Sequence, residues 1–189
     1  MSSTLKVAIR FTLVTTVLLG IIYPLIVTAF AHVAMRKQAD GQLIVRDGRV
    51  IGSAIIGQSF TSDNYFHGRP SAAGNGYDAA NSSGSNLAQS NKKLVDRIQG
   101  DVATYQKTAP GQPVPIDLVT ASGSGLDPDI TPAAAFYQVH RVAEARHMSD
   151  DVVRGLVEQH IQGRQFGFLG EPRVNVLELN MALDAASTK

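Results

Sequence analysis

The segment Thr120-Ala-Ser-Gly-Ser-Gly-Leu-Asp-Pro128 is where this chain could best support nucleophilic chemistry. A glycine-rich turn can expose a hydroxyl and aim backbone N–H groups at an oxyanion. Ser122 and Ser124 are the candidate nucleophiles. The G-x-S-x-G elbow is not met, because Ser rather than Gly stands at 122. A tight turn, in which glycines supply unusual dihedrals and serines bond the backbone, accounts for the same residues and is preferred over a serine hydrolase. A metal would have to use His67, His140, His147 or His160 with Asp127 and Asp129. His140 and His147 lie two turns apart, and neither has a second His four residues away, so solvated or core-edge histidines are the better reading.

Nucleotide chemistry has no motif to work with: G-x-x-x-x-G-K-[ST], G-x-G-x-x-G and Asp-Lys-Thr-Gly-Thr are all absent. With a net charge of +1 and no basic cluster, nucleic-acid binding has no support. No catalytic, cofactor or metal residue is therefore assigned.

The elements that must carry these residues begin with an apolar run. No Asp, Glu, Lys or Arg occurs between Arg10 and Arg36, and crossing a hydrocarbon core takes about 20 apolar residues. The expected organisation is a short tail over 1–10, a transmembrane helix over 11–35 and one water-facing domain over 36–189. A signal peptide is the competing reading, since Lys6 and Arg10 precede the run and Ala29-Phe30-Ala31 resembles a cleavage site. The run outlasts an ordinary h-region of about 7 to 15 residues, which favours a retained anchor. Lys6 and Arg10 are balanced by Arg36 and Lys37. A large C-terminal domain suits an N-inside, C-outside topology, because long domains translocate largely regardless of charge. The absence of Cys is compatible with an oxidising exterior.

Thr12, Thr16, Gly20, Pro24, Thr28 and His32 recur at every fourth position of the run and form a slowly winding stripe on a helix. Two readings stand. Small side chains let a partner helix approach and hydroxyls bond across the contact; alternatively, Thr and Gly are merely tolerated and Pro24 only bends the helix.

Beyond the run, Leu43-Ile44-Val45, Asp47-Gly48 and Val50-Ile51 predict a hairpin. Ala54 to Ile56 and Tyr65-Phe66 are candidate short strands, and Arg69 to Asn86 reads as a long Gly- and Ser-rich loop. Ser90 can cap a helix to about Gln106, with Leu94, Val95, Ile98 and Val102 on one face. Val114 to Val119 fits a strand. Thr131-Pro132 opens a helix to about Arg146, and Ser149 with Asp150 and Asp151 opens another to about Gln162. A strand at Val174 to Val176 and a closing amphipathic helix complete an α+β domain.

Ordered blocks run through the domain. They are Gly52-Ser-Ala-Ile-Ile-Gly-Gln-Ser-Phe60, Tyr65-Phe-His-Gly-Arg-Pro-Ser-Ala72, Ser83-Gly-Ser-Asn-Leu87 and Ser90-Asn91, followed by Asp117 to Pro128, Ile130 to Ala134, Gln138, Arg141 to Ala143 and Leu169 to Val176. In this order they closely resemble the KdpC family, a component of the Kdp potassium-transporting P-type ATPases, over nearly the whole chain.

The resemblance implies a single transmembrane helix followed by one α+β extracytoplasmic domain, in the bacterial inner membrane. It implies three partners besides the bilayer: a channel-like potassium-binding subunit, a P-type ATP-hydrolysing subunit and a small single-helix subunit. ATP and potassium are then ligands of the complex. The family is described as assembling the complex and as a catalytic chaperone that raises its ATP affinity. An outer domain would do so indirectly, through a conformational equilibrium, rather than by binding ATP. Thr12, Thr16, Gly20, Pro24 and Thr28 are the expected helix contacts. Gln58, Tyr65, Phe66, Arg69, Ser85, Asn86, Ser122, Ser124 and Asp127 are the expected interface loops, with Tyr65 and Phe66 as aromatic anchors and Arg69 paired with a partner's carboxylate.

Overall fold

A computed structural model describes residues 2–187 and divides the chain into two compact units, Met1–Ile51 and Gly52–Lys189. In the first, Ser2 caps α1 (Ser3–Val17) by accepting from the Leu5 N–H at 3.3 Å. A π-helical turn (Leu18–Ile22) joins it to α2 (Tyr23–Ala34), so Ser3–Ala34 is one uninterrupted 32-residue helix with mean hydropathy 2.2 in its most apolar window. It is long and apolar enough to cross a membrane, and it starts nearer the N-terminus than the apolar run alone indicates. Pro24 cannot donate to the carbonyl of Gly20 and its ring crowds that carbonyl; the wider turn just before it is a known accommodation. A four-residue spacing overshoots an α-helical turn by about 40°, and a π turn holds more residues, so the turn offsets part of the stripe's winding. A short α3 (Arg36–Ala39) and a hairpin of β1 (Leu43–Arg46) and β2 (Arg49–Ser53) follow. Asp47 and Gly48 both have positive φ, as the expected Asp-Gly turn requires.

The second unit is α+β. Its three-stranded sheet has the order β3 (Asp129–Ile130), β5 (Arg173–Asn175), β4 (Ile161–Gln162), all antiparallel, with Val174 opposite both Ile130 and Ile161. Among the described residues four helices accompany it: α4 (Lys92–Thr108), α5 (Pro132–Arg146), α6 (Asp150–Gln159) and α7 (Val176–Ser187). Thr131 caps α5 by accepting from the Ala134 N–H, and Ser149 caps α6 by accepting from the Val152 N–H. The core is built from Val139 and Val142 of α5, Val153 and Val157 of α6, Val174 of β5, and Leu179 and Leu183 of α7, all buried. Ile98, Val102 and Tyr105 of α4 pack against it half-buried.

Five sequence expectations are corrected. Val114 to Val119 is not a strand: Pro113 and Pro115 lack N–H donors, and Ile116–Leu118 closes a 3-10 turn with buried Asp117 accepting from the Thr131 N–H at 2.8 Å. Ala54 to Ile56 makes only an isolated bridge, Ser53 to Ile56, and Tyr65-Phe66 is loop. The cap of α4 is Asn91, which accepts from the Lys93 N–H, rather than Ser90. Helix α6 stops at Gln159, and its extrapolated end is β4.

Candidate interaction surface

The loop from Asp63 to Gly68 has no neighbouring strand, so its buried backbone groups need other partners. Two amides on helices supply them. Asn180 of α7 accepts from the Phe66 N–H at 2.8 Å and donates to the Phe66 carbonyl at 3.0 Å. Gln138 of α5 does the same for His67, at 2.8 and 3.1 Å. The buried Arg141 guanidinium donates to the carbonyls of Asp63 and Tyr65 and to Gln138 Oε1. Arg146 lies 4.7 Å over the Tyr65 ring, donates to the Asn64 carbonyl and pairs with Asp184 at 2.8 Å.

Phe66 is therefore not an anchor for a partner: its ring is wholly buried in the chain's own core. Tyr65 is half-buried, with its ring against Phe60 and Arg146.

A second cluster forms where the loop after Phe66 meets the turn from Thr120 to Pro128. Arg69 Nη1 donates to Asp127 Oδ2 at 3.0 Å, and the rest of the guanidinium reaches the Thr120 and Ala121 carbonyls. The expected partner carboxylate is thus the chain's own Asp127. Ser71 Oγ donates to the Gly125 carbonyl at 2.6 Å and accepts from the Tyr77 N–H at 2.7 Å, while the Tyr77 hydroxyl donates to the Arg69 carbonyl at 2.6 Å. Burial, then the Asp127 charge, pushes the Tyr77 phenol up to about 12. Gly125 has φ +67°, and a Cβ there would lie 2.6 Å from both the Ala73 nitrogen and the Ser83 carbonyl oxygen, so no other residue fits.

Ser122 Oγ accepts from the Gly125 N–H at 2.9 Å and Ser124 Oγ from the Leu126 N–H at 3.1 Å. These hydroxyls serve the turn. Ser83 N–H donates to the Ser124 carbonyl, which lays the segment leading to Ser85 and Asn86 along this turn. Gln58 joins Asp127 in lining a small cleft below it. Gln58, Arg69, Ser122, Ser124 and Asp127 are thus brought together with the Ser83–Asn86 loop, whereas Tyr65 and Phe66 belong to the amide-bound loop. Ser85, Asn86 and Ser124 are exposed.

Beside the cluster, a cleft of about 270 Å³ is lined by Arg69, Asp117, Asp127, Asp129, Glu171 and Arg173, among others. Asp129 pairs with Arg173 at 3.0 Å and accepts from Asn175, yet burial outweighs that pairing and raises its pKa, with Asp127 adding to the rise. His140 pairs with Asp150, and His160 lies 2.7 Å from the Leu156 carbonyl. Among the described residues no group of three or more His, Asp or Glu is placed to hold a metal ion.

The residues that position the surface, Asn180, Gln138, Arg141 and Asn175, carry no periodic signal. Their only trace in the sequence is a polar residue on an otherwise apolar helix face or strand.

The family model "KdpC: K+-transporting ATPase, c chain" matches residues 5–185. A potassium-transporting ATPase KdpC subunit from Koribacter versatilis is 57% identical over 184 residues, covering 97% of this chain and 95% of that protein. One from Acidobacterium capsulatum is 55% identical over 180 residues, covering 95% and 97%, and one from Rhodopseudomonas palustris is 54% identical over 194 residues, covering 96% and 98%. With a long apolar N-terminal helix, an α+β unit and this match along nearly its full length, the chain belongs to the KdpC family of K+-transporting ATPase subunits.

Proposed function

We propose that the chain is a non-catalytic accessory subunit of an ATP-driven potassium uptake complex, in which it stabilises the assembly of the channel-like, ATP-hydrolysing and single-helix subunits. Family membership supports this, as does a site whose hydroxyls and charges are engaged in shaping a surface. Serines that accept from turn N–H groups and an arginine bonded to its own chain fit docking better than turnover.

In this reading residues 11–35, most of them in the long helix Ser3–Ala34, anchor the chain in the bacterial inner membrane, with residues 1–10 cytoplasmic and the α+β domain periplasmic. Thr12, Thr16, Gly20, Pro24 and Thr28 face a partner helix. Within the chain a side chain on Gly20 would meet nothing nearer than Thr16 Cγ2 at 4.0 Å, so that face is open to a neighbour. Gln58, Tyr65, Arg69, Ser85, Asn86, Ser122, Ser124 and Asp127 form the outer contact. A periplasmic domain raises the pump's ATP affinity by favouring one conformation of its partners, which requires only differential contact with two states.

Equilibrium dialysis of ATP tests this. The purified chain alone should show no saturable binding at micromolar ATP, and the complex should bind ATP more tightly with the chain than without it. Micromolar binding to the lone chain would make it a direct nucleotide-binding regulator instead.

A further inference from the structure

The segment between β4 and β5 ends in a turn that sets two phenylalanines in the open. Phe166 is 87% exposed and Phe168 69%, with Leu169 beside them at 47%. Phe166 has φ +52° and Gly167 φ +81°, the signs found in a type I′ turn, where the first central position favours Asn or Asp. A bulky aromatic in the left-handed region is strained, and such strain collects at functional positions.

The turn is nevertheless closed. Gln165 and Leu169 exchange both backbone hydrogen bonds at 2.9 Å, the Gly167 N–H donates to the Arg164 carbonyl and the Phe168 N–H to the Gln165 carbonyl. The tip can enter an apolar site with these four N–H groups already bonded and little conformational entropy left to lose.

We infer that this turn is a docking knob, with Phe166 and Phe168 filling a neutral, apolar pocket on another subunit of the same assembly. The inference rests on the reading of the chain as an accessory subunit. Charge selects a protein pocket over the bilayer surface. At the base of the turn Arg164 pairs with Glu171 at 2.6 Å and Arg173 with Asp129 at 3.0 Å, so both arginines are neutralised by their own chain. Phe and Leu also enter lipid surfaces, but such attachment is held by unpaired Lys and Arg facing the headgroups, and this turn supplies none. Two apolar aromatics inside a rim of internally paired charges match the core and rim of a protein contact.

The test uses the full chain co-expressed with the other subunits and purified in mild detergent. Phe166→p-benzoyl-phenylalanine should form a light-induced adduct with an identified partner subunit, and the same group at exposed Val152 should not. The double variant Phe166→Ala, Phe168→Ala should weaken the chain's association at least about thirtyfold, the loss hot-spot aromatics produce, while its circular dichroism and melting temperature stay unchanged. An intact complex in which position 166 labels only lipid or nothing, or a double variant of full affinity, overturns the knob and leaves the accessory reading standing. Failure of the unaltered chain to co-purify overturns both.

Discussion

The helices of the second unit and its Gly- and Ser-rich loops are held in place by different forces. In α5, α6 and α7, buried Val139, Val142, Val153, Val157, Leu179 and Leu183 make an ordinary apolar core. From Gly57 to Leu87 the only buried hydrophobics are Phe66 and Ala73, and the chain is fixed by Asn180, Gln138, Arg141, Ser71 and Tyr77 through hydrogen bonds to backbone. Apolar burial is proportional to area and indifferent to direction. Amide pairing is directional, and fixes where each loop atom sits. A shaped polar surface on a rigid scaffold is what recognition uses, and the loops gain that precision without a core of their own.

The largest effect should come where the two regions meet. Phe66→Ala removes the large apolar side chain that the loops bury completely in the core and should lower stability by about 3–5 kcal/mol, read as a drop in the melting temperature of the purified chain. A loss under about 1 kcal/mol would mean that the loop is not tied to the core. Asn180→Leu keeps the branched skeleton of the side chain but leaves the Phe66 N–H and carbonyl unpaired, and should cost about 2–3 kcal/mol. Amide exchange should speed up through Asp63–Gly68 while α5 and α6 stay protected; acceleration spread evenly over both would erase the distinction between the regions.

Much of the helical region was legible. Thr131-Pro132, Ser149 with its acidic first turn, and the apolar spacing of the last helix each act within one turn of the chain, so local rules find them. The hairpin was legible for the same reason. The loops were not, because their partners are remote in sequence. Arg69 and Asp127 are 58 residues apart, Phe66 and Asn180 114. Reading Tyr65-Phe66 as a strand recognised a backbone that needs partners but not that side-chain amides supply them. Taking Phe66 for a partner anchor failed likewise, since nothing local distinguishes a buried ring from an exposed one. The exposed Phe166 and Phe168 drew no functional reading from sequence, although two aromatics spaced by a glycine in a loop were there to be seen.

Smaller effects sharpen the contrast. Arg69 is only 24% and Asp127 31% exposed, and the guanidinium also holds the Thr120 and Ala121 carbonyls, so Arg69→Ala should cost the isolated chain about 1–2 kcal/mol and reduce complex yield or potassium-stimulated ATPase activity by more than that loss explains. Equal losses of fold and assembly would make Arg69 scaffolding alone.

The last effect is absent at neutral pH and emerges only in alkali. Tyr77 ionises near 10.0 when unfolded and about 12 when folded, so the fold favours the neutral phenol. Its contribution is intact below pH 10 and is lost as pH rises towards 12. Tyr77→Phe should flatten the decline of melting temperature over that window. Some slope should remain, because burial also raises Tyr105. An unchanged slope would remove the Tyr77 hydroxyl from the loop framework.

A chain that works only as part of an assembly should not leave the membrane alone. Affinity purification of the tagged full-length chain in mild detergent should bring the channel-like, ATP-hydrolysing and single-helix subunits with it in fixed proportion; a monodisperse chain eluting by itself, from cells that contain those subunits, would mean that it is not one of their accessory subunits.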